Sequence, residues 1–132
     1  LVILLIFVSF IAALFYNFSN TTNRIERKSQ ATDLAIQFIE AMKATPFETL
    51  AATNLEDGMN MTTENFENLT GKEVIIPNGY TVKIYIQNPK DSSGNTSVEM
   101  GQVMKVIVAE VSYKLGNTDE NVKIETLVKN IQ

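Results

Sequence analysis

The hydropathy pattern begins with an uncharged apolar run. Residues 1–16 (LVILLIFVSFIAALFY) contain Ser9 as their one hydrophilic side chain before Asn17, and the first charged residue is Arg24. A membrane-spanning helix takes about 20 apolar residues, whereas the apolar core of a signal peptide takes about 7–15. The run is therefore a little short for a full span, yet too long and uniform for the core of a small soluble domain. It predicts a membrane or filament-core helix, and the alternative is a buried core helix.

The flanks of this run leave its orientation open. The chain starts directly in the apolar run, without an initiator Met or a basic leader, and we expect that its first residues have been removed by processing or trimming. Tyr16 and Phe18 would serve as interfacial aromatic residues. Arg24, Arg27 and Lys28 follow, and the positive-inside rule would place that end in the cytoplasm unless a basic leader outweighs them.

Helical periodicity returns at Ala31 and predicts a second, amphipathic half of the same helix. Its apolar face consists of Ala31, Leu34, Ala35, Phe38, Ala41 and Met42, broadened by Ile36 and Ile39. The remaining polar strip is narrow and consists of Asp33, Gln37, Glu40 and Lys43. A helix that is apolar around most of its circumference needs partners on more than one side. Residues 1–44 as one helix would be about 66 Å long at 1.5 Å per residue.

Pro46 ends or kinks this helix, because proline disfavours helical backbone at the residue before it. The sequence Thr45-Pro46-Phe47-Glu48 has the pattern of a capping box with proline at the first helical position, and it predicts a short helical turn to about Ala52. Residues 53–72 are polar and rich in Asn, Thr and Glu, which predicts a long surface loop.

From Glu73 onward the pattern changes to a period of two, which is typical of strands. Val74-Ile75-Ile76 predicts a short strand, and Asn78-Gly79 predicts a two-residue hairpin turn. The next strand follows directly, since Tyr80, Val82, Ile84 and Ile86 alternate with Thr81, Lys83, Tyr85 and Gln87.

Residues 88–101 predict a polar loop, and residues 103–115 predict a long third strand. Met104, Val106 and Val108 share one face of that strand, whereas Val111 and Tyr113 fall on the opposite parity. This change predicts a β-bulge near Ala109-Glu110. A turn over residues 116–119 then leads to a last strand over residues 122–128.

Together these elements predict an α+β fold, in which a long, partly transmembrane N-terminal helix packs on a four-stranded antiparallel sheet. We divide the chain into residues 1–23, the apolar helix half, and residues 24–132, a globular head containing the amphipathic helix half, the loop and the sheet. A head of this size cannot cover a helix about 66 Å long. The first half of the helix must therefore be buried by something else.

The composition removes several classes of chemistry. The 132 residues include no Cys and no His, which removes the usual zinc ligands, cysteine nucleophiles, Ser-His-Asp triads and haem axial ligands. The formal net charge of −4 gives no overall reason to expect nucleic-acid binding. We expect that the chain is not an enzyme and has no catalytic, cofactor-binding or metal site.

Three sets of polar residues are candidate sites. Asp91, Asn95 and Glu99 provide oxygen ligands at alternate spacings, but they match a calcium loop poorly, and a solvated hairpin loop is favoured. Glu56-Asp57 and Asp119-Glu120 are expected in loops, where sequence neighbours seldom share a proton. The chain also contains Asn-X-Ser/Thr sequons, which an Asn- and Thr-rich sequence produces by chance, at Asn17, Asn20, Asn60, Asn68 and Asn95.

The order and spacing of these segments resemble the type IV pilin superfamily, which includes type IV pilins, minor pilins and the pseudopilins of type II secretion and DNA uptake. The segments that carry the resemblance are LVILLIFVSFIAALFY, SQATDLAIQFIEAMKATPFETL, NGYTVKIYI and VMKVIVAEVSYKLGNTDENVKIETLVKN. They cover nearly the whole chain, and the last is most similar to minor pilins and minor pseudopilins.

Two features depart from the usual pattern of that superfamily. Its members usually open with Phe or Met and a short apolar stretch carrying one Glu, but residues 1–10 contain no Glu. Either about half a dozen residues are missing, which would bring the run to spanning length, or the chain is a Glu-less variant. The C-terminal disulfide of many Gram-negative pilins is also absent, which favours a Gram-positive or otherwise disulfide-poor source.

The resemblance implies a structural subunit of a type IV pilus or pilus-like filament, anchored in the membrane and assembled through its N-terminal helix. The implied partners are other pilin or pseudopilin subunits, in a homo- or hetero-oligomeric filament, and membrane lipid before assembly. The implied location is a single-pass membrane protein that enters a cell-surface or periplasmic filament, with N-methylation after leader removal. The alternative is a single-span membrane protein with an extracytoplasmic sensor or ligand-binding domain.

Overall fold

The computed structural model of the chain describes residues 2–130, except for the side chain of Asn20. Its elements, in chain order, are α1 (Val2–Lys43), α2 (Phe47–Ala52), β1 (Leu55–Met61), α3 (Thr63–Thr70), β2 (Tyr80–Gln87), α4 (Val98–Gly101), β3 (Met104–Leu115) and β4 (Thr118–Lys129). The strands form one antiparallel sheet in the order β1-β2-β3-β4. The predicted α+β arrangement of a long apolar N-terminal helix and a four-stranded antiparallel sheet is confirmed.

The chain divides into two compact units, Leu1–Gln30 and Ala31–Gln132. The first unit contains the apolar part of α1. The second contains the end of α1 together with the sheet and the shorter helices. The continuous helix predicted for the first third of the chain is confirmed from Val2 to Lys43.

The core of the second unit lies between the end of α1 and the inner face of the sheet. All of the residues predicted for the apolar helix face are buried: Ala31, Leu34, Ala35, Phe38, Ala41 and Met42. They form one cluster with Val82, Ile84 and Ile86 of β2 and with Ile107 of β3. Burial of each large apolar side chain contributes about 1.5–3 kcal/mol relative to exposure, so this face fixes the helix end on the sheet.

The buried face of this helix segment is narrower than the sequence pattern indicated. Ile39 joins the core at 7% exposure, but Ile36 is 40% exposed. Asp33, Gln37 and Glu40 are exposed as predicted. One side of the helix segment is therefore buried against the rest of the second unit. Ile36 lies on the opposite side, where its large apolar side chain stays exposed.

The prediction of a surface loop over residues 53–72 is wrong, because this stretch contains β1 and α3. At the start of α3 the Thr62 hydroxyl accepts the Asn65 N–H at 3.1 Å, and the Asn65 side chain accepts the Thr62 N–H at 2.7 Å. This reciprocal capping box satisfies two N–H groups that a helix start leaves unpaired. The prediction missed it because the N3 residue is Asn rather than the usual Glu or Gln.

The capping box predicted at Thr45 is also wrong, although the short helix to Ala52 is confirmed. Pro46 is the N-cap residue of α2 and gives no side-chain cap. The Thr45 hydroxyl instead donates to the Ala41 carbonyl at 2.9 Å, inside the core. It therefore completes the end of α1 rather than the start of α2.

The strand predicted at Val74-Ile75-Ile76 is wrong, because these residues form no strand, and β1 takes the position beside β2. Met59 stands opposite Ile84, and Met61 stands opposite Val82. The hairpin predicted at Asn78-Gly79 is therefore wrong, although these residues do form a turn, in which the Tyr80 N–H donates to the Pro77 carbonyl at 3.3 Å. The pairing partner of β2 was therefore wrong, while β2 itself was right.

The bulge predicted near Ala109-Glu110 is wrong as well. The register of β3 is continuous with β2 and with β4 through these residues. Ile107, Ala109, Val111 and Tyr113 are buried on the inner face. The apparent change of parity arose because residues 106–109 are apolar on both faces of the strand.

Candidate functional site

An extended apolar surface covers the first part of α1. Its large side chains from Val2 to Phe18 are exposed, from 37% at Ile11 to 84% at Ile3. An 18-residue window of the helix has a mean hydropathy of 2.3, and none of that window is buried inside the chain. By length and composition, this helix is able to span a membrane.

Hydroxyl groups on this part of α1 donate to the helix backbone. The Ser9 hydroxyl donates to the Leu5 carbonyl at 2.9 Å. Nearer the polar end, the Thr21 hydroxyl donates to the Asn17 carbonyl at 3.0 Å. Bonds of this i−4 type remove most of the cost of placing a hydroxyl in an apolar medium. Ser9 is thus compatible with a hydrocarbon environment.

One face of the apolar segment carries a shallow groove between large side chains. It is lined by Ile11, Leu14, Phe15 and Phe18, which have the i, i+3, i+4, i+7 spacing of neighbours on a helix surface. Ile25 follows seven residues later and is 65% exposed. Such grooves receive side-chain ridges from another helix.

The outer face of the sheet carries a second feature, a groove of 440 Å³. Tyr85 of β2 pairs with Val108 of β3, and Val108 pairs with Glu125 of β4. These residues line the groove together with Gln87, Asn88, Lys90, Val106 and Lys123. The groove therefore combines an apolar floor with polar and charged walls.

Gly58 of β1 lies close to the Tyr85 side chain. Gly58 has a φ of +83°, and a Cβ there would lie 2.6 Å from Cε1 of Tyr85 and 2.7 Å from Cε of Lys83. The register of β1 shifts between Leu55 and Met59, which marks a bulge around this glycine. The Lys83 Nζ lies 5.4 Å from the centroid of the Tyr85 ring. Only glycine allows both the bulge and this close packing.

Asn88 lies at one end of the groove and ties the following loop to the sheet. The Lys105 Nζ donates to the Asn88 Oδ1. A Cβ at Gly101 would overlap the same amide group. Gly101 therefore lets α4 approach the end of β2 closely.

The candidate calcium-loop residues form an ordinary turn around Asp91. The Asp91 carboxylate accepts the N–H groups of Ser93 at 2.9 Å and Asn95 at 3.0 Å. Glu99 lies in the first turn of α4. Over the described residues, no cluster of three or more acidic, His or Cys side chains is placed to hold a metal ion.

The adjacent carboxylates lie in strands rather than in the loops that we predicted. Glu56-Asp57 belongs to β1 and Asp119-Glu120 belongs to β4. Successive side chains of a strand point to opposite faces. The side chains of Asp119 and Glu120 are consequently directed apart, whereas Glu56-Asp57 lies in the stretch between Leu55 and Met59 where the register of β1 shifts.

The sequons fall in different elements. Asn17 lies in α1, Asn60 in β1 and Asn68 in α3, and all three are exposed, as is Asn95 in the loop before α4. The side chain of Asn20 lies outside the described part of the chain.

The exposed helix segment was predicted from sequence, whereas the groove on the sheet was not. The sequence feature that could have indicated this groove is the apolar outer parity of β3, formed by Met104, Val106 and Val108.

The comparisons with protein-family models, curated proteins and solved structures found no match for this chain.

Proposed function

We propose that the chain is a structural subunit of a type IV pilus or pilus-like filament, anchored in the membrane and assembled through the apolar part of α1. The observation that carries the proposal is the uncharged, exposed helix surface from Val2 to Phe18. The resemblance to minor pilins and minor pseudopilins adds the order of the elements, a long apolar helix followed by an antiparallel sheet.

The exposed helix surface needs an apolar environment. Each large side chain gains about 1.5–3 kcal/mol when it is removed from water, and contiguous apolar surface of this extent mediates association or membrane insertion. Two environments satisfy it in succession, the bilayer before assembly and the packed core of a filament afterwards. The satisfied Ser9 hydroxyl suits both.

The partners in this proposal are other subunits of the same filament. The groove of Ile11, Leu14, Phe15 and Phe18 has the spacing that accepts ridges of a neighbouring helix. In the proposed sequence of events the chain is first a single-pass membrane protein and then part of an extracellular or periplasmic filament, in a structural rather than catalytic role.

The test places a charge within the apolar run. Leu5→Asp and Ile11→Asp should lower insertion or packing of α1, because a charge at the centre of a membrane helix costs about 2.5–3.5 kcal/mol on insertion scales. The expected result is loss of tagged chain from sheared filaments of the producing cells, with an unchanged proteolysis pattern for residues 31–132. Leu5→Val and Asn17→Asp are the controls, and both should assemble. Normal assembly of the two Asp variants would overturn the proposal.

A second candidate is a single-span membrane protein that senses a ligand, and the groove on the outer sheet face favours it. This function predicts a monomer or dimer in the membrane and no filament. Mass spectrometry of the N-terminal peptide of the native protein separates the two. A leader removed just before the apolar run, with N-methylation, supports the filament subunit, whereas a retained basic leader supports the sensor.

A further inference from the structure

β4 is an open edge of the sheet. It pairs with β3 over its whole length, from Leu115 opposite Thr118 to Met104 opposite Lys129. On its other side, no strand of the described residues pairs with it. Val122 and Ile124 face the core yet are only partly buried, as expected for a strand with one neighbour.

The two edges of the sheet differ in their protection. β1, the other edge strand, has seven residues and a bulge around Gly58. Bulges and short length are devices by which edge strands avoid pairing with another chain. β4 has twelve residues, contains neither Gly nor Pro, and keeps a continuous register. Its outward N–H and C=O groups therefore form a regular template for a further strand.

We propose that β4 pairs antiparallel with β4 of a second copy, about a two-fold axis at Ile124. In a continuous sheet, residues that stand opposite each other point to the same face. With the axis at Ile124, Lys123 stands opposite Glu125 of the second copy, and Asp119 stands opposite Lys129 of the second copy. Each of these two pairings occurs twice by symmetry, and both join opposite charges on the outer face.

Neighbouring registers lack this complementarity. An axis at Lys123 would place two lysines against each other, and an axis at Glu125 would place two glutamates against each other. An axis at Val122 would place Asp119 against Glu125 of the second copy. An axis at Thr126 would place Lys123 against Lys129 of the second copy. Like charges directly opposite each other destabilise a strand pair, so the charge pattern selects Ile124 as the centre.

Around the axis, the inner face is compatible with the same register. Ile124 meets Ile124 of the second copy, and Val122 meets Thr126 of the second copy. The partly exposed side chains at the edge of each core are thereby covered. The partner is thus a second copy of this chain, and this pairing is independent of the apolar part of α1 and of the proposed function.

The first experiment uses the absence of cysteine from the sequence. Ile124→Cys introduces one thiol at the proposed axis, where opposed Cα atoms are about 4.5–5.5 Å apart, within disulfide range. Asn121→Cys is the control, because its two copies would be about 20 Å apart along the strands. On mild oxidation of the full chain in detergent, Ile124→Cys should form covalent dimers and Asn121→Cys should not. Equal cross-linking of both, or none for Ile124→Cys, would overturn the proposal.

The second experiment reverses charge at the interface. Glu125→Lys sets lysines against each other on both sides of the axis and should weaken the dimer about ten-fold. The triple reversal E110K/K123E/E125K restores opposite charges across the axis and also keeps opposite charges at the Lys123–Glu110 pair, which is 3.5 Å apart. It should restore the dissociation constant. Energy transfer between labelled full chains in detergent measures that constant.

Two controls separate this dimer from other associations. Glu64→Lys makes the same charge change on α3 and should leave the dissociation constant unchanged. Leu5→Asp alters the apolar part of α1 and should also leave it unchanged, even where it abolishes filament assembly. A dissociation constant that is unchanged in Glu125→Lys, or a dimer that is lost in Leu5→Asp, would show that the chains associate through another surface.

Discussion

Phe38 of α1 packs against Phe66 of α3 with the ring centroids 4.3 Å apart and the ring planes tilted by 55°. Both side chains are fully buried. The contact joins a helix that periodicity predicts well to a helix in a stretch that looked like a polar loop. Tilted aromatic pairs of this kind add about 0.5–1.5 kcal/mol to the effect of burial, so α3 belongs to the core of the second unit.

The aromatic pair predicts a large effect of truncation. Phe38→Ala should lower the free energy of unfolding of the second unit by about 3–5 kcal/mol, because it removes a fully buried ring and leaves a cavity. Ile36→Ala is the control on the same helix, where the side chain is 40% exposed, and it should cost much less. Denaturant unfolding of the full chain in detergent, followed by circular dichroism, measures the difference. Equal effects of the two substitutions would contradict the packing described for α1.

The bulge in β1 predicts a specific steric effect at Gly58. Gly58→Ala should destabilise the unit by about 1–3 kcal/mol more than Gly94→Ala. Both positions have positive φ, +83° and +82°, but a Cβ at Gly94 meets nothing within 4 Å. The excess should shrink when Tyr85→Ala is added, since the new methyl would meet the ring and the Cε of Lys83, and the latter is the far end of a flexible side chain that is able to move away. The same unfolding measurement checks this, and an unchanged excess would place the strain elsewhere.

The parts of the fold that sequence predicted are those with strong local periodicity. Leu34, Phe38 and Met42 mark one helix face, and Val82 and Ile84 mark one strand face, because a single packed side leaves a single clear period. The exposed apolar part of α1 was predicted for a related reason, since its length and lack of charge suffice by themselves.

The parts that sequence missed depend on contacts between distant segments. β1 has the sequence LEDGMNM, with no alternation and an internal glycine, and it is a strand because it pairs with β2. The groove at Val106 and Val108 was not predicted, because most of the inner residues of β3 are also apolar and the sequence does not show which face is outward. The open edge of β4 likewise follows from strand order, which no local pattern specifies.

The capping box at the start of α3 predicts a moderate effect. Thr62→Ala should cost about 1 kcal/mol of stability, since it removes the acceptor of the Asn65 N–H. Thr53→Ala is the control, because that exposed hydroxyl donates to the Thr49 carbonyl at the end of α2 and caps no helix start. Asn65→Ala removes the other half of the box, and the two changes should be less than additive. Additive costs in the double variant, from the same unfolding curves, would show that the two bonds act separately.

The internal hydrogen bond of Ser9 predicts how substitutions at this position change the membrane insertion of α1. Ser9→Ala should leave membrane insertion nearly unchanged, because the hydroxyl already donates to the Leu5 carbonyl and exposes little unpaired polarity. Ser9→Asp at the same position introduces a charge that costs about 2.5–3.5 kcal/mol, which lowers the ratio of inserted to non-inserted chain about a hundred-fold. Insertion into microsomes, scored by protection from added protease, measures both. A strong loss in Ser9→Ala would mean that this hydroxyl has a partner outside its own helix, and the filament core would be the place to look for it.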